Sequence, residues 1–146
     1  YLDPFYDSFV GANVGGASSD LSGTKPGGIP ELTLSFVTSY DFSIMGMDAW
    51  IQADYRYDKE VDIQDGGDLS ASNILLESTN SRTREVGLLN ASIGIAKNGW
   101  EFRVWGRNLT NDEYLITWFP SVAQTGSFSG YPNQPRMWGA SIKKSF

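Results

Sequence analysis

Apolar and polar residues alternate with a period of two along five stretches of the chain. In ELTLSFVTSYDF (31–42), Leu32, Leu34, Phe36, Thr38, Tyr40 and Phe42 share one face, and Thr33, Ser35, Val37, Ser39 and Asp41 share the other. In MDAWIQADYRYD (47–58), Met47, Ala49, Ile51, Ala53, Tyr55 and Tyr57 oppose Asp48, Trp50, Gln52, Asp54, Arg56 and Asp58. LLNASIGIAK (88–97), WEFRVWGR (100–107) and MWGASIKKSF (137–146) repeat the pattern. Successive side chains of a strand point to opposite faces, so this period predicts strands with one apolar and one polar side. A sixth strand is expected from Tyr1 to about Ala12, disturbed by Pro4. No stretch calls for a helix, and the fold expected is all-β and antiparallel.

The connections alternate as well. SIMG joins the first two strands and KNG the next two, and Asn98-Gly99 is a strong signal for a tight hairpin. The other connections, roughly 13–30, 59–83 and 109–134, are long and rich in Gly, Ser, Asn, Asp and Pro. Pro30 and Pro135 stand at strand entrances, and Pro26, Pro120 and Pro132 in loops. Long loops without structure of their own argue against a compact soluble domain. In an outer-membrane barrel, short turns on one side and long loops on the other are the rule, with tilted strands of about 9–11 residues. Tyr40, Phe42, Tyr55, Tyr57, Trp100, Trp138 and Phe146 fall on the apolar face near strand ends, as in the aromatic girdles of such barrels.

Composition narrows the chemistry. The formal charge is -6 in 146 residues, which argues against nucleic acid as a partner. The chain has no cysteine and no histidine, which removes disulfides, thiolate metal sites, the commonest general base and the commonest zinc ligand. No run approaches the roughly 20 apolar residues of a membrane helix. The opening YLDPFYDSF lacks a start Met and a basic leader. It reads as the middle of a longer chain whose targeting segment lies upstream.

The stretch GWEFRVWGRNLTNDEYL (99–115), with a terminal strand PRMWGASIKKSF (135–146), resembles the C-terminal end of a TonB-dependent outer-membrane receptor. LSGTKPGGIPELTLSF (21–36) and ADYRYDKE (53–60) resemble that family too, so the likeness covers essentially the whole chain. It implies an antiparallel transmembrane β-barrel of about 22 strands filled by a plug domain, of which residues 1–146 are the last five to six strands. It implies location in the outer membrane of a Gram-negative bacterium and uptake of a scarce nutrient, most often a ferric siderophore; another metal chelate, cobalamin or an oligosaccharide stays open. The implied partners are TonB, through an upstream segment, the barrel assembly machinery, which reads a terminal aromatic such as Phe146, and outer-membrane lipid. Transport calls for no catalytic residue, cofactor or resident metal. Lys144 falls on the lipid face, where a lysine near the interface costs roughly 0–1 kcal/mol and can snorkel.

Candidate site residues follow. Trp118, Phe119, Phe128 and Tyr131 in the last long loop could take a ligand by stacking, or pack the loop against its neighbours. Arg56, Arg103 and Arg107 face the lumen, where they could meet an anionic ligand, the plug or the barrel wall. Asn108 and the rest of GRNLTND read as strand-exit and turn chemistry. Asp62, Asp65 and Asp68 faintly resemble a calcium loop without its spacing or closing Glu. Two rival readings are a soluble β-sandwich that binds carbohydrate through the 113–135 aromatics, and a hydrolase using a carboxylate pair such as Asp54 and Glu101.

Overall fold

The computed structural model describes residues 2–14, 17–64, 82–120 and 127–146. Among these residues the chain is all β. The strands are β1 (Val10–Val14), β2 (Ala17–Asp20), β3 (Thr33–Ile44), β4 (Met47–Asp62), β5 (Thr83–Lys97), β6 (Trp100–Arg107), β7 (Leu115–Pro120), β8 (Phe128–Pro132) and β9 (Met137–Lys144). They form one five-stranded sheet, in the order β3-β4-β5-β6-β9, and two hairpins, β1-β2 and β7-β8. The five strands of the sheet are the five that alternation marks out. The segment expected to be a sixth strand, Tyr1 to about Ala12, shows no strand before Val10 among the described residues; β1 pairs with β2 in a separate hairpin, and two of the connections expected to lack structure contain β2 and the β7-β8 pair. The sheet is open: β3 and β9 are its edges, and neither pairs with the other.

The chain divides into two compact units. The second holds Leu34–Tyr57, Gly87–Asp112 and Gln134–Phe146, and therefore most of the sheet. Its two tight turns have left-handed backbone at both central residues, Met45 and Gly46 in one and Asn98 and Gly99 in the other. This is the mirror-image turn whose twist matches that of paired strands. The register is continuous across three strands: Ile93 opposes Val104, which opposes Ala140, and Ile95 opposes Phe102, which opposes Ile142. The predicted faces are thus maintained from strand to strand. The apolar face is uncovered, with Phe36 66%, Tyr40 68%, Trp138 80% and Ile142 65% exposed.

The first unit holds Tyr1–Thr33, Asp58–Val86 and Glu113–Asn133. Its described core is Ile63 and Trp118, with Leu115 and Phe128 packed against them. Polar ties organise the rest. Arg82 pairs with Asp62 at 2.8 Å, Thr83 donates to Glu60 at 2.6 Å, and Glu31 takes both Lys25 and Lys59. Arg84 donates to the carbonyls of Ile116 and Gly28, at 3.0 and 3.1 Å, joining three separate segments of chain.

Candidate functional site

The polar face of the second unit is smoothed by two indole–glycine pairs. A Cβ on Gly94 would stand 2.1 Å from the Trp50 ring, and one on Gly139 would stand 2.8 Å from the Trp105 ring. Glycine is required at both positions because an indole from the adjoining strand occupies the space. Arg103 lies on this face, donates to Ser92 Oγ at 3.1 Å and is the direct partner of Gly94 and Ser141. Arg107 sits 5.6 Å from the centre of the Trp105 ring, within cation–π range. Arg56, by strand parity, shares the face from β4.

Charge is divided across this face. β6 and β9 bring Arg103, Arg107 and Lys143 against the single acid Glu101, whereas β4 brings Asp48 and Asp54 against Arg56. Asp54 and Glu101 do not come together. Asp54 accepts from Asn90, and Glu101 opposes Ala96. Six residues of β5 separate those levels, about 20 Å along a strand, well beyond the roughly 5–10 Å between paired glycosidase carboxylates.

GRNLTND forms a closed polar knot at the exit of β6. Asn108 is 4% exposed and uses its whole side-chain amide. Its Nδ2 donates to the carbonyls of Asp112 and Gln134, both at 2.9 Å, and its Oδ1 accepts from Asp112 N at 2.9 Å, with Thr110 Oγ1 3.2 Å away. Asn108 N donates to Asn90 Oδ1 at 3.0 Å. Asp112 and Thr110 then take the N–H and carbonyl of Gly87 at 2.6 and 2.7 Å. Asn108 and Asn111 both have left-handed backbone, a conformation that asparagine tolerates better than most residues.

The four loop aromatics split into two pairs. Trp118, 2% exposed, meets Phe128 edge-on with ring centres 5.7 Å apart, inside the core of the first unit. Phe119 and Tyr131 form the other pair, 5.8 Å apart, and are 43% and 60% exposed. The strand pairing explains the division, because Trp118 opposes Gly130 while Phe119 opposes Ser129. Leu115 fills the space beside Gly130. Trp118 Nε1 is buried and has no partner among the described residues.

Phe146 lies two residues past the end of β9 with its side chain fully exposed, and Ser145 N donates to Gly99 O at 2.8 Å. Of the three loop aspartates, Asp62 is held by Arg82, while Asp65 and Asp68 lie outside the described residues. Among the described residues no cluster of acidic side chains could hold a metal. In the first unit, hydrogen bonds from Ser22 hold the Asp20 carboxyl below its ordinary range, the hydroxyl contributing most and the N–H second. Sequence reasoning missed the Trp50–Gly94 and Trp105–Gly139 pairs and the bond between Asp54 and Asn90. The only signal for the two indole–glycine pairs was a tryptophan on a polar face across from a glycine.

Comparison with protein families, with curated proteins and with solved structures returns no match.

Proposed function

We propose that this chain is a wall segment of the transmembrane β-barrel of a TonB-dependent outer-membrane receptor, taking up a scarce nutrient such as a ferric siderophore. The observation that carries this reading is the uncovered apolar face. From Leu34 to Ile44 is ten residues of β3, roughly 33 Å along the strand. Tilted as barrel strands are, that spans about the 25 Å of an outer-membrane apolar band. Five strands make it roughly 19 Å wide. Keeping roughly 600 Å² of apolar sheet in water would cost about 15 kcal/mol at 25 cal/mol per Å². That equals or exceeds the whole stability of an ordinary domain, about 5–15 kcal/mol.

A soluble sandwich needs a second sheet over this face, and the exposure of its side chains speaks against one. Tight turns at one end of the strands and long connections at the other add support, as does a polar face lined by arginines. On this reading β3 and β9 continue into further strands, because an unpaired edge is not tolerated in lipid. Phe119 and Tyr131 are then the loop aromatics free to meet a ligand, while Trp118 and Phe128 hold the loop together. Fractionation of cells making the full-length product tests the reading. Recovery with outer membranes supports it; recovery with soluble periplasmic or cytosolic protein overturns it.

A further inference from the structure

Within the strands of the second unit the apolar face carries only two charged side chains, Lys97 and Lys144. They lie in one row. Lys97 is the direct partner of Trp100, and Trp100 is the direct partner of Lys144. The row closes the face at its tight-turn end, beside Asn98 and Gly99. Lys144 Nζ stands 4.9 Å from the centre of the Trp100 ring and donates to Asn98 O at 2.9 Å. Lys97 Nζ leans toward the other turn, 3.9 Å from where a Cβ on Gly46 would be. Among the described residues neither ammonium has a carboxylate partner. Glu101 is adjacent in sequence but points to the opposite face with Lys143.

The two lysine backbones are about 10 Å apart across Trp100. Their flexible stems can therefore converge on one anion while the indole supplies an apolar floor. Directly along the strands from this row come Phe102 and Ile142, 46% and 65% exposed. A ligand matching the row has a phosphate at one end and long apolar chains at the other.

We infer that Lys97, Trp100 and Lys144 form a site for an anionic glycerophospholipid, with its phosphate between the ammoniums and its acyl chains along Phe102 and Ile142. The inference rests on the membrane reading above and deepens it by naming the lipid. A juxtamembrane lysine enriches anionic lipid by roughly fivefold.

The test uses the purified full-length protein in phosphatidylcholine vesicles. These contain a minor fraction of either brominated phosphatidylglycerol or brominated phosphatidylcholine. The Trp100 signal is taken as the difference between the wild type and Trp100→Phe. The expected result is quenching of Trp100 several-fold stronger with the anionic lipid. The preference should disappear in Lys97→Gln/Lys144→Gln and persist in Lys97→Arg/Lys144→Arg, which also serves as the folding control. Equal quenching by both lipids overturns the site while leaving the membrane reading standing. Quenching by neither overturns both.

Discussion

The indole of Trp105 covers Gly139, its direct partner across β6 and β9, so closely that a Cβ there would stand 2.8 Å from the ring. Trp50 and Gly94 repeat the relationship between β4 and β5. The polar face therefore places its bulk over glycines, and each tryptophan fixes how one pair of strands lies together, β4 with β5 and β6 with β9.

A β-branched residue at Gly139 must displace that ring. Gly139→Val is expected to lower stability by about 1–3 kcal/mol, the usual cost of overpacking. Adding Trp105→Ala should recover part of the loss. Denaturant unfolding of the folded full-length protein, run as a double-mutant cycle, checks the coupling.

Asn108 is the hub of the polar knot, and its removal takes away three hydrogen bonds to backbone groups of Asp112 and Gln134. Asn108→Ala should cost about 2–4 kcal/mol, with three bonds lost at roughly 0.5–1.5 kcal/mol net each. Asn108→Gly, which keeps the left-handed backbone unstrained but loses the same bonds, should cost nearly as much. If it proves harmless, backbone conformation rather than bonding explains the asparagine. Urea unfolding of both variants separates the two.

The loop aromatics should divide by function as they divide by burial. Trp118→Ala and Phe128→Ala are expected to destabilise the first unit by about 3–5 kcal/mol, seen as faster proteolysis of the loop. Phe119→Ala and Tyr131→Ala should change stability by no more than about 0.5 kcal/mol. If the chain takes up a ferric siderophore as proposed, they should instead impair growth on iron-depleted medium.

Asp20 gives a pH dependence with a definite sign. Its carboxyl is held below the ordinary range by Ser22. The stabilisation it contributes is therefore complete above the unfolded value and is lost as pH falls through the lowered folded value. Ser22→Ala removes the hydroxyl bond and leaves the N–H bond at 2.9 Å. Carboxyl NMR titration should show the Asp20 midpoint moving part of the way back up.

Much of this was legible in the sequence because burial and exposure on a sheet impose a period of two. The strand 100–107 was bounded correctly, and Asn98-Gly99 announced its turn. β4 and β5 run further than alternation suggested, to Asp62 and back to Thr83. There, pairs such as Glu60–Thr83 and Asp62–Arg82 hold the first unit, and charged residues leave no apolar period to read. The β7-β8 hairpin was hidden because LITWF is nearly continuous in apolar residues. Which of its aromatics turn inward follows from a cross-strand pairing with Gly130, and no local pattern encodes that.

The central claim is that one face of this sheet meets lipid and the other does not, and β6 tests it most directly. Residues 1–146 hold no cysteine, and with any cysteine elsewhere in the full-length protein replaced, single cysteines at positions 102, 103, 104 and 105 can each carry an environment-sensitive dye. In lipid vesicles the account predicts blue-shifted, lipid-quenched emission from Phe102→Cys and Val104→Cys, and water-like emission from Arg103→Cys and Trp105→Cys. Water-like emission at all four positions, with no alternation, would contradict it.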